Sequence, residues 1–454
     1  LNTKANQLAN YLRKLGVVPG VLIAVSLERS LELIIGLLGI LKAGGAYVPI
    51  DTNIPEKRSY YILKDTNVLF LLTSKDIEKK FKSYKRKLVL IDKDWYKISQ
   101  ENQENPICCT LSTDIFCIIY TSGSIGVPKG ALTVHAAYIN RFHWMQIVYP
   151  SNYNDVYCQK TSISFVDSIW EIFGPLLYGI KTIIISDKKL KDFKQLIDEI
   201  EKCSISRLVV VPSLLEAIVK NVQNAQFQLR SLKLISVSGE AFSKSLVEKF
   251  ITILPNINLL NLYGSTEIGA DATYYYIKDN NNEIVGQFCP IGHPINNIKT
   301  YILDSNLIPL PIGAIGELCI GGVGLARGYI NQPELTVEKF IANPFQTEEE
   351  RKFNKNARLY KTGDLVRYLP NGNLDYIGRN DFQVKIRGYR IELGEIEGAL
   401  SSFEGIKQSV VLAKEHVADK EKESAGGKYL VGYYVAEDKL DEENILNYLR
   451  SRLP

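Results

Sequence analysis

The sequence predicts an α/β protein. We expect a large N-terminal domain, made of two α/β parallel-sheet subdomains and a β-rich subdomain, followed by a small α+β C-terminal subdomain. Three observations predict this fold. Short β-branched runs alternate with longer amphipathic stretches before Lys299, which is typical of βαβ units with parallel sheets. Strand-like runs then follow one another closely, and a mixed pattern of both element types begins after Arg379.

The two parallel-sheet subdomains are predicted from repeated strand–helix–strand patterns. In the first, VLIAVSL begins at Val21, a helix-like segment is closed by Gly44 and Gly45, and AYVPI follows. In the second, helical stretches are expected at residues 190–203 and 243–254. The strand-like runs around them begin at Lys181, Arg207, Leu232 and Asn258.

The β-rich and C-terminal parts are predicted from shorter runs. TYILD, GELCIGG, VRYLP and LDYIG are separated by Gly and Pro turns and indicate the β-rich subdomain. FQVKIRGYRIEL is followed by a helix from Gly394, strands at Gln408 and Tyr429, and an amphipathic stretch from Asp441. Segment 415–428 is charged and contains two glycines near its end, so it is expected to be a flexible surface loop.

Composition excludes several classes of protein. The 454 residues are 46% hydrophobic and 23% charged, which suits a folded chain of roughly three domain-sized units. The net charge of +4 is small and the basic run at residues 79–87 is interrupted by aromatics, so no nucleic-acid partner is expected. Seven cysteines without zinc-site spacing indicate reduced thiols and a cytoplasmic location. The apolar run at residues 31–41 is too short to span a bilayer and no signal peptide is recognised, so no membrane partner is expected.

The sharpest local signal is YTSGSIGVPKG, at residues 120–130. Backbone N–H groups freed by glycines, three hydroxyls and Lys129 are what a polyanionic phosphate needs. The order of Pro128, Lys129 and Gly130 excludes a Walker P-loop. An ordinary Gly/Ser turn is the alternative. A second glycine-rich segment, GGVGLARGY from Gly321, lacks the acidic residue of a dinucleotide-binding fold.

Seven segments, in order along nearly the whole chain, resemble those of a known family. They are LKAGGAYVPID (41–51), YTSGSIGVPKG (120–130), SFVDSIWE (164–171), NLYGSTE (261–267), GELCIGGVGLARGY (316–329), YKTGDL (360–365) and GRNDFQVKIRGYRIELGEIE (378–397). With them the chain resembles an adenylation domain of a nonribosomal peptide synthetase, within the adenylate-forming superfamily. The resemblance implies activation of an amino acid by Mg-ATP to an acyl-adenylate, with release of pyrophosphate. It further implies transfer to the phosphopantetheine thiol of a carrier protein, with other synthetase domains in the same polypeptide.

The resemblance also implies a nucleotide site. The departing pyrophosphate would be held by Thr121, Ser122, Gly123, Ser124, Gly126 and Lys129. Asn261 and Tyr263 would bind adenine. Asp364, expected to be an exposed contact, would accept the ribose hydroxyls beside Arg379. Thr266 would face the α-phosphate and Glu267 would ligate Mg²⁺, which takes one or two carboxylates plus phosphate oxygens. The remaining residues implied to bind ATP are Gly239, Glu240 and Gly264.

A division of the chain and a set of catalytic residues follow from the same resemblance. Residues 1–379 would form the large AMP-binding core and residues 380–454 a small, mobile and incomplete subdomain. Asp381 stands at the implied hinge between adenylation and thioester formation, and Lys385 and Gly388 would enter the site in the second state. The residues implied to act in catalysis are Thr121, Lys129, Glu267 and Lys385.

Three positions depart from the family's pattern. Ile125 replaces a usual threonine, which removes one hydroxyl from the phosphate loop, and Ser265 replaces a usual proline. Where α-amino-acid enzymes place an aspartate that pairs the α-ammonium group, this chain has Val166. The carboxylate has moved one position, to Asp167.

The third of these changes decides the expected substrate. The pocket positions carried over from the family are Val166, Asp167, Trp170, Val209, Ser236, Ser238, Leu262, Ala270 and Asp271. Two acids in an otherwise apolar pocket resemble β-alanine-activating domains, because an amine one carbon further from the carboxylate would meet the displaced acids. An unpaired ammonium in a closed pocket is costly, so ordinary α-amino acids are expected to be disfavoured. If Asp167 points outward instead, the pocket would serve an uncharged acid.

Two other functions are left open. One is an acyl-CoA ligase or carboxylic-acid reductase module of the same superfamily, although RIELGEIE and NRFHWMQ favour the synthetase type. The other is a degenerate nucleotide-binding module, suggested by Ile125 and by a missing lysine. The family's catalytic lysine loop has no counterpart before Pro454, so the chain is expected to be a piece of a longer synthetase that forms adenylate slowly.

Overall fold

Two mixed sheets, a β-rich sheet and a small α+β segment follow one another along the chain in the computed structural model. The structure describes residues 1–123, 127–190, 192–222, 228–277, 284–415 and 428–453. Parallel strands joined by helices form most of the first two sheets, each of which also has antiparallel pairing at one edge, and antiparallel strands form the third. The predicted fold class is confirmed.

The first sheet has six strands in the order β4-β3-β1-β2-β5-β6, of which β1 to β5 pair in parallel and β6 returns antiparallel to β5. Its strands are β1 (Leu22–Val25), β2 (Ala46–Pro49), β3 (Phe70–Thr73), β4 (Lys87–Leu90), β5 (Ile115–Thr121) and β6 (Lys129–Val134). Its helices are α1 (Asn2–Lys14), α2 (Leu31–Ala43), α3 (Glu56–Thr66), α4 (Lys75–Glu78), α5 (Trp95–Ile98) and α6 (His135–Val148), with a 3₁₀ turn at Lys79–Phe81. The predicted glycine stop is confirmed, because Gly44 ends α2 in the left-handed conformation, with φ of 98°.

The second sheet has the order β13-β12-β11-β10-β9, with β9 to β11 parallel, and a parallel pair β7–β8 precedes it. The pair consists of β7 (Val156–Gln159) and β8 (Lys181–Ile184). The sheet consists of β9 (Arg207–Val210), β10 (Leu234–Val237), β11 (Asn258–Tyr263), β12 (Thr273–Ile277) and β13 (His293–Pro294). Its helices are α7 (Asp167–Leu177), α8 (Asp187–Leu190), α9 (Phe193–Lys202), α10 (Pro212–Asn221) and α11 (Lys244–Ile253), with a 3₁₀ turn at Thr266–Ile268.

Local capping explains where two of these helices begin. The Ser243 hydroxyl accepts the Leu246 N–H, so the helix predicted over residues 243–254 is confirmed. The helix predicted from residue 190 begins later, because the Asp192 carboxylate caps α9 by accepting the Lys194 N–H.

The rest of the chain forms the β-rich sheet and the C-terminal segment. The β-rich sheet contains β14 (Ile298–Leu303), β15 (Gly316–Gly322), β16 (Phe340–Ala342), β17 (Arg358–Tyr368) and β18 (Leu374–Arg379), with α12 (Pro333–Lys339) and α13 (Glu348–Lys352). The C-terminal segment contains hairpins β19 (Gln383–Ile386)–β20 (Tyr389–Glu392) and β21 (Ile406–Glu415)–β22 (Lys428–Ala436), with α14 (Leu393–Ser401) and α15 (Glu442–Arg450). The surface loop predicted over residues 415–428 lies mostly outside the described residues.

The apolar cores follow this organisation. The largest cluster joins α1, α2, α6 and α7 to the first and β-rich sheets, and a second cluster fills the space between the second sheet and α9 to α11. The C-terminal segment has a separate small core of Leu393, Leu400, Val411 and Ile445. The division between residues 1–379 and 380–454 stays a prediction. Over the ranges that the structure describes, no helix has both the length and the apolar composition needed to cross a bilayer.

Close packing of α1 on α2 depends on a glycine. A Cβ atom on Gly39 would lie 2.7 Å from Cδ2 of Leu8, whereas a Cβ atom on Gly398 in α14 would meet nothing within 4 Å. We expect Gly39→Ala to lower the free energy of unfolding by about 1 kcal/mol through overpacking. Gly398→Ala, the matched control, should raise it by about 0.5–1 kcal/mol through helix propensity. Urea unfolding followed by circular dichroism measures both, and equal stability of Gly39→Ala and the unchanged protein would contradict the packing argument.

Candidate functional site

A cavity of about 750 Å³ lies where the carboxyl ends of β5, β10 and β11 meet the β19–β20 hairpin. Because parallel strands present their carboxyl ends at one edge of a sheet, the loops after β10 and β11 open into the same space. The hairpin closes the cavity from the C-terminal segment. The site is therefore built from segments that are far apart in the sequence.

The loop after β5 supplies polar groups to this cavity. Thr121 pairs with Lys129 across β5 and β6, so the residues between them form the loop. The Oγ1 atom of Thr121 is buried and has no hydrogen-bond partner among the described residues, and the Ser122 hydroxyl donates to the Arg390 carbonyl at 2.7 Å. A Cβ atom on Gly123 would lie 1.9 Å from the Val127 carbonyl oxygen, so the turn requires glycine. Three predicted positions of this loop lie outside the described residues: Ser124, Ile125 and Gly126.

A charged cluster forms around Glu267, whose side chain is fully buried. Its carboxylate accepts the Tyr329 hydroxyl at 2.8 Å and the Arg390 Nη1 at 2.9 and 3.0 Å, and Nζ of Lys129 lies 4.0 Å away. Burial raises the pKa of Glu267, but the charges of Arg390 and Lys129 outweigh burial and hold it well below its ordinary value. Burial and the charge of Arg390 lower the pKa of Lys129 to about 8. Sequence reasoning did not single out Arg390.

The chemistry of Glu267 bears on the predicted magnesium site. Among the described residues, no group of three or more His, Cys, Asp or Glu side chains could hold a metal ion. A single buried carboxylate still fits Mg²⁺, because this ion keeps several ligands from water and from phosphate oxygens. In the present arrangement the Arg390 guanidinium takes the place beside the carboxylate.

The residues predicted to bind adenosine come together at a second, smaller cavity of about 40 Å³. It is lined by Gly239, Glu240, Asn261, Tyr263, Gly264, Asp364 and Lys385, among others. The Tyr263 hydroxyl donates to Asp364 at 2.5 Å, and Nη1 of Arg379 donates to Asp364 at 2.6 Å. The expectation that Asp364 is exposed is wrong, because these two side chains cover it and leave it 5% exposed. Arg379 also pairs with Asp381 at 2.6 Å.

The β19–β20 hairpin reaches into both cavities. The Gly388 N–H donates to Oε1 of Glu240 at 2.7 Å, and the Ser213 N–H donates to Oε2 of Glu240 at 3.1 Å. Both oxygens of Glu240, a residue predicted to bind ATP, therefore already accept hydrogen bonds from backbone groups. Gly388 has φ of 78°, and a Cβ atom there would lie 2.7 Å from Val211. Nζ of Lys385 lies 6.0 Å from the centre of the Tyr263 ring, and burial lowers the pKa of Lys385.

The structure divides the predicted amino-acid pocket. Five of its nine positions line the large cavity: Val166, Asp167, Ser238, Ala270 and Asp271. The other four do not. Trp170 is buried behind the wall, Ser236 is buried in β10, Val209 lines a neighbouring cavity of about 330 Å³, and Leu262 lines the small cavity. Asp167 does not point outward, because its carboxylate accepts the Ser238 hydroxyl at 2.8 Å at the cavity wall. Thr266 also lines the cavity.

Sequence reasoning missed one residue behind this pocket, Arg141 in α6. It is 1% exposed, its Nε donates to the Asp271 carboxylate, and its Nη2 lies 3.9 Å from Oδ1 of Asp167. Burial and the negative charge of Asp167 raise the pKa of Asp271 to about 6, against the opposing effect of Arg141. A signal existed, because Arg141 is the sole Lys, Arg, Asp or Glu in the sequence of that helix, HAAYINRFHWMQIV.

Comparisons with known proteins agree with this geometry. The model of a family described as AMP-binding enzyme matches residues 1–330. One mycosubtilin synthase subunit of Bacillus subtilis is 41% identical over 462 residues, which cover 100% of this chain and 17% of that protein. Zwittermicin A synthase ZmaJ of Bacillus cereus is 40% identical over 460 residues, 100% of this chain and 83% of that protein. The solved structure of NpsA-ThdA, an artificially fused adenylation-PCP di-domain from Klebsiella oxytoca, superposes with a TM-score of 0.85 at 25% identity and covers 99% of this chain and 85% of that chain.

The contact between Arg390 and Glu267 predicts how the hairpin is held. Removing one partner of a buried ion pair costs about 3–5 kcal/mol, so Arg390→Met should release the β19–β20 hairpin from the cavity. We expect trypsin to cleave at least about tenfold faster after Lys385 and Arg387, measured by mass spectrometry. Lys407→Met, which breaks an exposed pair with Glu437, is the control and should leave this rate unchanged. Unchanged cleavage of Arg390→Met would show that other contacts hold the hairpin.

Proposed function

The chain belongs to the AMP-binding enzyme family and is an ATP-dependent adenylating ligase, and we propose that it activates β-alanine as an aminoacyl-adenylate for nonribosomal peptide synthesis. One observation carries the choice of substrate. The Asp167 carboxylate lies at the cavity wall and accepts the Ser238 hydroxyl, whereas Val166 stands where the family resemblance implies the partner of an α-ammonium group.

The first half-reaction is an attack of the substrate carboxylate on the α-phosphorus of ATP. The bond from that phosphorus to the bridging oxygen breaks, and pyrophosphate leaves with the electron pair. Thr121, Ser122 and Lys129 would stabilise the charge that grows on this leaving group. Thr121 and Ser122 line the cavity at the carboxyl end of β5, and Lys129 pairs with Thr121 at the start of β6. A carboxylate is already a nucleophile at neutral pH, so the step needs no general base.

The nucleotide would lie where the two cavities adjoin, because Tyr263, Asp364 and Lys385 line both of them. Asp364 would accept the ribose hydroxyls, with Arg379 fixing its orientation, and Tyr263 and Asn261 would contact adenine. Asn261 donates its amide N–H to the Pro290 carbonyl at 2.8 Å, which fixes the side chain. Mg²⁺, when bound, would neutralise phosphate charge, and Glu267 would hold it once Arg390 has left the carboxylate.

The second half-reaction transfers the acyl group to the phosphopantetheine thiol of a carrier domain. The sulfur attacks the acyl carbon, AMP leaves, and the thiol proton passes to solvent. The β19–β20 hairpin in the cavity, with Lys385 and Gly388, supports this assignment, and so does the PCP named in the di-domain relative. The hinge at Asp381, the division at residues 379 and 380, and further synthetase domains in the same polypeptide belong to the proposal. The chain spans 17% of the mycosubtilin synthase relative, so these domains and a cytoplasmic location are proposals as well.

The nucleotide assignment is tested by Asp364→Ala. We expect the Kd for ATP to rise about 10- to 100-fold, because charge-assisted hydrogen bonds to the ribose are lost. Asp375→Ala is the matched control: this carboxylate is also buried, pairs with Arg367 at 3.0 Å and does not line the cavity. Both variants should lose stability, but calorimetric titration should show weakened ATP binding in Asp364→Ala alone. Unchanged ATP binding there would remove Asp364 from the site.

The substrate assignment predicts a preference between isomers. β-Alanine should exceed α-alanine and glycine by roughly 30- to 1000-fold in kcat/KM, because a buried charge-assisted contact is worth on the order of 2–4 kcal/mol. Pyrophosphate exchange measures the three substrates, and α-alanine controls for size and composition. Faster exchange with leucine than with β-alanine would refute this substrate and leave the adenylating activity intact.

A further inference from the structure

Three charged side chains interact at the proposed amino-acid pocket. Asp167 and Asp271 line the cavity, and Arg141 lies behind them. Arg141 lies behind the wall, with its guanidinium 5.4 Å from the centre of the Trp170 ring, and it contacts Asp271 through Nε. Its Nη2 is 3.9 Å from Asp167. Neither Nη1 nor Nη2 has a hydrogen-bond acceptor among the described residues, although both are buried.

The two carboxylates are not equivalent. Asp271 is 2% exposed and already has a cationic partner in direct contact. The Asp167 side chain is 20% exposed, and its nearest direct partner is the neutral hydroxyl of Ser238. One guanidinium against two carboxylates leaves a single uncompensated negative charge, which the partner geometry assigns to Asp167. That charge faces the cavity.

We propose that Arg141 is a positioning residue that determines the charge specificity of the pocket: it withdraws Asp271 from substrate recognition and leaves Asp167 as one carboxylate for one substrate ammonium group. This inference rests on the proposed function, because it presumes an amino-acid substrate in the cavity. It differs from the sequence-based expectation, in which both acids meet the amine.

The proposal has a consequence that would not follow if Asp271 itself contacted the substrate amine. When Asp271 loses its charge, Arg141 keeps its own, and its unpartnered Nη2 is 3.9 Å from Asp167. The guanidinium then turns to Asp167 and competes with the substrate ammonium. Removing Arg141 as well frees Asp167 again, so a second substitution restores binding that the first one destroyed.

The test is calorimetric titration of β-alanine into the full chain in the presence of a non-hydrolysable ATP analogue. We expect Asp271→Asn and Asp167→Asn each to weaken β-alanine binding by about tenfold or more. The double variant Arg141→Met/Asp271→Asn should bind within about threefold of the unchanged protein. The affinity for the ATP analogue and the Tm of each variant control for folding. If the double variant Arg141→Met/Asp271→Asn does not fold, Arg141→Gln/Asp271→Asn is measured in its place.

Two results would overturn the proposal: normal β-alanine binding by Asp271→Asn, or failure of the folded double variant to regain affinity, which would show that Asp271 itself contacts the amine. Failure of the proposed function gives a different result, because in that case the unchanged protein would not prefer β-alanine over α-alanine and glycine. The same variants are then titrated with whichever amino acid the unchanged protein binds most tightly in a panel, and recovery by the double variant decides for or against Arg141.

Discussion

A carboxylate that is fully removed from water must be held by positive charge and hydrogen bonds, and Glu267 imposes this constraint on the centre of the molecule. To satisfy it, the chain brings Lys129 from the first sheet, Tyr329 from the β-rich region and Arg390 from the C-terminal hairpin to one point beyond β11. The loop after β5, the Glu267 carboxylate and the β19–β20 hairpin are thereby placed relative to one another. The cavity exists because these segments converge without filling the space between them.

Local signals account for the parts that could be predicted from the sequence. Gly44 and Ser243 mark element ends through backbone conformation and capping, which depend on a few neighbouring residues. Arg390 and Arg141 could not be found in this way. Each pairs with a carboxylate more than a hundred residues distant, at separations of 123 and 130, and no local pattern reports which buried acid a distant arginine will meet.

The same reasoning explains why only some of the positions expected to form an amino-acid pocket line the large cavity. Val166 and Asp167 lie at the start of α7, and Ala270 and Asp271 follow the turn at Thr266–Ile268, so short segments deliver them to the cavity. Ala270 holds a φ of 84°, a conformation that costs a non-glycine residue free energy and is common at functional sites. Trp170 lies one helical turn beyond Asp167 and packs against Phe142 and Tyr157, so it shapes the pocket from behind.

The separate core of the C-terminal segment has a thermodynamic consequence. Its apolar residues pack on one another, whereas its links to the preceding part are mainly polar: Arg58 with Glu395 at 2.6 Å, Gly388 with Glu240, and Arg390 with Glu267. Displacing the segment would exchange ion pairs for water and uncover little hydrocarbon. Its heat-capacity change would be small, because heat capacity follows the exposure of apolar surface. Added salt would favour the displaced position, because it stabilises the separated charges once they are in water, whereas the buried pairs themselves are screened much less.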